Sequence, residues 1–355
     1  MYRSFRIVPQ LVLFFIFLTA GATVLQAGHQ QDGRQLVPVC VAFYNVENLF
    51  DTIHSSGSAD IDFTPQGSYG WNTKRYLEKL DRLAEVISKL GLELTPDGAA
   101  VVGLSEIENE EVVWDLVRQQ RISDRNYQVI FRKGRDRRVH NAFIYNPKYF
   151  EPTHVVSAPV VWEEDPGFRT RDHLVVSGLL LGEPIHFIVA HWPSRGGGER
   201  RSRPRRIAAA QSARAVIDSI KALDANAKII FMGDVNDDPT DLSVARYLNS
   251  SGDKNRLAPG QLYNPFVDLA RRGIGSLAWR DSWNLFDQIL LSQALLGDDL
   301  SSFRFHRAEV FNRPFLRTPS GRFQGYPFRS FGGGVYLGGY SDHFPTYVFL
   351  IREKK

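Results

Sequence analysis

Short apolar, β-branched runs that stop on a cluster of Asn, Glu, His or Asp constrain this chain more than any other feature. The clearest is Ala227-Lys228-Ile229-Ile230-Phe231-Met232-Gly233, which ends on Asp234-Val235-Asn236-Asp237-Asp238 before Pro239. Such a run, closed by glycine and proline, reads as a buried strand entering a turn. Strand alternation predicts Asp234 and Asn236 on one side. A carboxylate acceptor beside an amide donor suits a water that must be deprotonated and an oxyanion that must be held. A plain Asp/Asn turn is the alternative for a single such site.

The same ending recurs. Val41-Ala42-Phe43-Tyr44 runs into Asn45-Val46-Glu47, Val101-Val102-Gly103-Leu104 into Ser105-Glu106, and Ile188-Val189-Ala190 into His191-Trp192-Pro193. Asn284-Leu285-Phe286-Asp287-Gln288-Ile289 and Tyr340-Ser341-Asp342-His343-Phe344-Pro345 add further polar clusters. Separate structural turns do not account for so many. In their order along the chain these motifs resemble the metal-dependent endonuclease/exonuclease/phosphatase superfamily, the DNase I-like phosphoesterases. The resemblance runs from about Val39 to Ile351.

Strands and helices alternate along the chain, with strands in excess and several joined as hairpins, so the fold class is α/β with mixed sheets. The resemblance implies a DNase I-like four-layer α/β/β/α sandwich. Periodicity places a helix from Trp71-Asn72-Thr73 to Gly91 with Tyr76, Leu77, Leu80, Leu83, Ala84 and Ile87 inward. A second spans Glu110 to Gln119. A third spans Arg205 to Leu223, with Ile207, Ala210, Val216 and Ile220 inward. Arg171 to Leu180 and Ile185 to Ala190 read as a hairpin. The Gly- and aromatic-rich stretch Thr318 to Gly339 reads as a long surface loop.

At the N-terminus, Arg3 and Arg6 precede an apolar run, Leu11 to Leu18, too short to span a bilayer comfortably. Ala20-Gly21-Ala22 and Leu25-Gln26-Ala27 offer cleavage sites. Residues 1–27 are therefore expected to be a signal peptide and the protein to be exported, with an uncleaved anchor as the alternative. Residues 28–38 are expected to be a flexible lead-in and 39–355 a single domain. The only cysteine, Cys40, excludes an internal disulfide and reads as a small core residue. Net charge is +4, or +2 without the leader's two arginines, which by itself assigns no partner.

Glu106 follows a buried strand, where a carboxylate suits a hard cation such as Mg²⁺ or Mn²⁺. No cysteine cluster supports zinc. The resemblance makes Glu106 the principal metal ligand, with Asn45, Glu47 and Asp342 completing the site and Asn48 a weaker match. It makes Asp287 the partner of His343, a pairing that fixes a histidine tautomer. It also places His191 on the scissile phosphate. Asp234 orients or deprotonates the water, while Asn236, Asn45, His191 and His343 donate to the oxyanion.

Between Arg195 and Arg206 lie six arginines against one acid, Glu199. Gly196-Gly197-Gly198 lets backbone approach a ligand, and arginine recognises phosphate bidentately. Arg195, Arg171 and Asn109 are the expected phosphate contacts, although much of the run is ordinary surface charge. One departure stands out: Arg137-Arg138-Val139-His140-Asn141 lacks the Arg-Gly-x-Asp that the resemblance calls for, leaving Asn141 as a substitute for the acid. The reading is an exported, metal-dependent phosphodiesterase, acting on DNA or RNA and needing no protein partner, as a monomer. Hydrolysis of small phosphoesters or phospholipid headgroups is one alternative, and a catalytically silent binding module another.

Overall fold

A computed structural model describes residues 35–54, 60–136 and 138–354. The expected leader lies outside them. The first strand, β1, spans Leu36–Leu49 and begins inside the stretch expected to be a flexible lead-in, because Leu36 already pairs with Glu353. There follow β2 (Ala99–Ile107), β3 (Gln128–Phe131), β4 (His140–Tyr145), β5 (Phe150–Ala158), β6 (His173–Leu180), β7 (Glu183–His191) and β8 (Ile229–Asp234). The later strands are β9 (Ser250–Ser251), β10 (Leu262–Tyr263), β11 (Leu277–Trp279), β12 (Ser282–Asn284), β13 (Asp287–Leu291), β14 (Arg304–Val310), β15 (Phe331–Gly332), β16 (Val335–Tyr336) and β17 (Thr346–Glu353).

One sheet has the order β14-β17-β1-β2-β4-β3 and the other β5-β6-β7-β8-β13-β10-β9. Their inner faces share one core, in which Val41, Phe43 and Phe143 of the first meet Val189, Ile230 and Met232 of the second. Gly103 permits the close approach: a Cβ there would lie 2.6 Å from the Met232 sulfur. Each sheet contains a parallel pair, β1 with β2 and β7 with β8. Parallel neighbours need a long crossover, and helices supply it. Helix α1 (Thr73–Lys89) links β1 to β2 and is capped by the Asn72 side chain, which accepts from the Arg75 N–H. It packs against α2 (Glu110–Val117), beside the first sheet.

Helix α3 (Glu199–Leu223) links β7 to β8 and covers the outer face of the second sheet, where Ile188, Phe231 and Leu290 meet Ala209, Ala210, Ala213 and Ile217. Burying Ile217 alone stabilises by roughly 1.5–3 kcal/mol. This helix departs from expectation twice. It begins before Pro204, whose missing N–H costs one hydrogen bond on an exposed turn. Its buried stripe is Arg206, Ala209, Ala213 and Ile217 rather than Ile207, Val216 and Ile220, which are half-buried. Short alanines let the backbone lie close to the sheet, and that selects the face. On α1, likewise, Leu77 is exposed and Lys79 is buried in its stead.

The stretch expected to be a surface loop is partly internal. It carries the β15–β16 hairpin, and Phe331 packs on Phe63, Tyr69 and Trp71. We call residues 318–340 the strap.

Candidate active site

The carboxyl ends of the parallel pairs converge. In the second sheet Asp234 lies at the end of β8, in register with His191 on β7 and with Asp287 on β13. In the first, Asn45 on β1 pairs with Ser105 on β2, and Glu106 follows in a left-handed conformation (φ 65°). The Asn45 amide joins the sheets: its Nδ2 donates to Glu106 Oε1 at 3.1 Å and to Asp234 Oδ2 at 3.0 Å. His191 Nε2 lies 3.5 Å from Asp234 Oδ2 and 4.0 Å from Glu106 Oε1. From β17's approach, His343 Nδ1 bonds to Asp287 Oδ2 at 2.7 Å, and its Nε2 is 3.9 Å from both Asp234 and Asp342.

Burial sets the charges. It raises the Asp234 carboxyl to about 7, against the opposing charge of His343 and with help from Asp287. For His343 burial alone would favour the neutral ring, but Asp287 and Asp234 outweigh it and hold the pKa well above the ordinary value. His191 goes the other way: burial, then the charges of Arg171 and His343, push it well down. The site therefore sets a carboxylate poised near neutrality between a charged and a neutral imidazole, the division of states that acid–base work needs.

Burial also raises Glu106, and the charge of Asp342 adds to it. A buried carboxylate whose ionisation a second carboxylate opposes fits a hard divalent cation. Glu106 accepts from Asn45 Nδ2 and from the Asn48 N–H at 2.8 Å, so both its oxygens are oriented. Asp234, Asp287 and His343 also offer ligand atoms within 4.8 Å of one another. We favour Glu106 and Asp342, because in that second group His343 Nδ1 and Asp287 Oδ2 are already bonded to each other.

Several expected roles are corrected. Glu47 is turned to the strap: its oxygens accept from the Ser330 N–H (2.6 Å) and Arg329 Nε (3.2 Å), with Lys79 Nζ at 3.9 Å, so it braces the site rather than ligating a metal. Arg195 is not a phosphate contact. Its Nε donates to the Asn236 carbonyl (2.9 Å) and its Nη2 to Asp237 (3.1 Å) and Asp241 (2.6 Å). Arg171 donates to the Trp192 carbonyl at 2.5 Å and faces Asp136, supporting the strand end from behind. Asn109 caps α2 through Val112 N and holds Asp51, which occupies both ends of its amide. Asn236 is not in strand register with Asp234. It is left-handed (φ 52°), tied by its N–H to Asp234 Oδ1 and by Nδ2 to the Trp192 carbonyl, leaving one amide N–H. Asn141 gives its amide to the Asp172 carbonyl, joining β4 to the next segment.

Two residues escaped the sequence reading, and a third, Arg206, figures in it only as one of the arginine run. Buried Lys79 donates to Ser330 Oγ and the Tyr340 carbonyl, each at 2.6 Å. Arg329 bridges Glu47 and Asp342. Fully buried Arg206 lies 2.7 Å from Asp237. Of the first two, only Lys79 left a trace, as a charge within the helical stripe Tyr76, Leu80, Leu83.

A model of the Endonuclease/Exonuclease/phosphatase family matches residues 40–352. No curated protein sequence matches significantly. Among solved structures, TDP2 from Caenorhabditis elegans is 12% identical with a TM-score of 0.53, covering 88% of this chain and 74% of that one. TDP2 of D. rerio, complexed with single strand DNA product, is 16% identical with a TM-score of 0.52, covering 88% and 98%. A mannosyl-6-phosphatase from Bacteroides thetaiotaomicron is 18% identical with a TM-score of 0.51, covering 88% and 99%.

Proposed function

The chain belongs to the endonuclease/exonuclease/phosphatase family of metal-dependent phosphoric ester hydrolases, and from that premise we propose that it is an exported, Mg²⁺- or Mn²⁺-dependent phosphodiesterase acting on nucleic acid. The observation that carries the reading is Asp234, raised to about 7 between His191 and the His343–Asp287 pair.

A divalent ion held by Glu106 and Asp342 would neutralise charge on the phosphate and leaving oxygen. The chain's own groups do the rest. Asp234, held by Asn45 and the Asn236 N–H, orients a water and accepts its proton. Charged His343, oriented by the bond from its Nδ1 to Asp287, donates from Nε2 to the phosphoryl oxygens. His191 Nε2 and the remaining Asn236 N–H donate beside it. No nucleophilic serine or cysteine is required, so attack is in line and direct.

The N-terminal sequence supports export, and the stretch 311–341, with four arginines and no acid, supports a polyanionic substrate. Likeness to the mannosyl-6-phosphatase favours a second reading, hydrolysis of sugar phosphates. The test is turnover of plasmid DNA, single-stranded DNA, RNA, bis-p-nitrophenyl phosphate, p-nitrophenyl phosphate and mannose 6-phosphate with Mg²⁺, Mn²⁺ or chelator. Metal-dependent cleavage of the polymers is expected. Turnover of monoesters alone would replace this reading with the second.

A further inference from the structure

The hairpin β11–β12 is fastened to the catalytic pair at its base. Ser276 Oγ accepts from the Asp287 N–H (3.3 Å), and its carbonyl accepts from the Phe344 N–H (2.7 Å), one residue from His343. From that point a row of rings runs outward. Trp283 stacks on Phe344 with centroids 6.0 Å apart and planes at 18°. Tyr326 follows at 5.8 Å from Trp283, and Phe323 at 5.6 Å from Tyr326. Phe344 is 1% exposed, Trp283 43% and Phe323 54%, with Tyr326 partly buried between the two outer rings. Rings so exposed add little to the core, and adjoining exposed apolar groups mark contact surfaces.

The segment that bears Phe323 and Tyr326 carries one sign of charge. Residues 311–341 include four arginines, eight aromatic residues and no acid. Arg322 lies over the Phe323 ring at 5.6 Å. The hairpin tip, Arg280-Asp281, is left-handed at both positions (φ 48° and 62°), a conformation that favours Asn or Gly. Strain of this kind persists where the surroundings over-determine it. Here the Asp281 carboxylate accepts from the Tyr326 hydroxyl at 2.6 Å, locking the hairpin to the row.

We propose that Trp283, Tyr326 and Phe323 form a stacking subsite for unpaired bases flanking the scissile phosphate, so that the enzyme prefers single-stranded or frayed nucleic acid. Aromatic rings beside arginines are the pairing that single strands use: bases stack on the rings while guanidinium groups meet the backbone. A paired base keeps its faces within the duplex and has none to offer. A membrane surface fits less well, because Trp283 and Tyr326 cover each other and the Tyr326 hydroxyl is tied down, rather than projecting as a free apolar tip. The inference rests on the phosphodiesterase reading and adds a substrate form to it.

The experiment compares Phe323→Ala with the parent on three probes: a ten-residue oligodeoxythymidylate, its duplex with oligodeoxyadenylate, and bis-p-nitrophenyl phosphate. The parent should cleave the single strand faster than the duplex. The variant should lose about 5- to 150-fold in kcat/KM on the single strand, mostly through KM, and nothing on the small diester. Equal losses on both, or none on the single strand, overturn the proposal. So does a larger loss in Trp279→Ala, since Trp279 lies on the opposite face of the ribbon. Fluorescence anisotropy of the labelled oligomer in chelator reads binding without turnover, so failure of the phosphodiesterase reading stays distinguishable from failure of the subsite. Unchanged anisotropy in Phe323→Ala, or parent protein that sediments with phosphatidylserine vesicles and releases the oligomer, sinks the stacking role.

Discussion

The two ends of β7 bury charge in opposite ways. At its start, Glu183 accepts from Arg352 Nη1 (2.7 Å), the Phe303 N–H (3.1 Å) and Ser302 (2.9 Å), and pairs with Lys228. Burial alone would raise its carboxyl, yet these partners pull it down to about 2. At the other end, burial wins: His191 is pushed down and Asp234 beside it is pushed up to about 7. Glu183 is 7% exposed and His191 6%, but the four partners of Glu183 outweigh its burial whereas those of Asp234 do not. One end is satisfied by its own side chains. The other holds carboxylates whose charge only a cation, a proton or a substrate completes.

The largest expected effect tests the unsatisfied end. Asp234→Asn should lower kcat by about 10³–10⁴ while the folded state survives; near-parent turnover would remove Asp234 as the base. Next comes the satisfied end. Glu183→Gln leaves Lys228 and Arg352 without their carboxylate, and chemical denaturation should show a loss of about 3–5 kcal/mol with kcat unchanged. Glu106→Gln should raise the Mg²⁺ or Mn²⁺ concentration for half-maximal activity by about 10-fold or more. Arg195→Gln should lower kcat about 10-fold at constant KM, through the loosened Asn236 loop. A phosphate grip would instead raise KM and reduce the salt slope by about 1.

pH gives the two ends opposite signs. The Glu183 contribution is complete above its ordinary pKa of 4.5 and disappears as pH falls towards about 2. Asp234, raised above its ordinary 3.8 to about 7, does the reverse in metal-free protein: stability declines as pH rises between those values. Denaturation of chelated protein against pH should show both slopes, and Asp234→Asn should reduce only the second, leaving the share of Glu47, raised to about 7, and Glu108, raised to about 8.

The strand endings were legible because strand identity and polar termini are written locally, within a few residues of Asn45, Glu106, His191 and Asp234. What joins them is not local. Lys79 meets Ser330 across 251 positions, and Arg329 meets Glu47 across 282. No periodicity encodes such pairs. Arg195 misled for a related reason: six arginines between 195 and 206 suggested an anionic ligand, whereas the matching acids, Asp237, Asp238 and Asp241, come from the β8 loop. The α3 face was misjudged because hydrophobicity favours Ile207 and Val216, while backbone proximity favours alanine.

The register Leu36↔Glu353 makes the first and last strands neighbours. Strand β1, which supplies Asn45, is therefore flanked on one side only until β17 has been made. During synthesis its edge waits through some three hundred residues with unpaired N–H and C=O groups. Contacts of such long separation are slow to form, because loop closure must precede the gain. Assembly of the catalytic end thus waits for β17: Ser341, which donates to the Asn45 carbonyl at 2.7 Å, arrives only a few residues before it. A nascent chain cannot hydrolyse anything until that strand has been made.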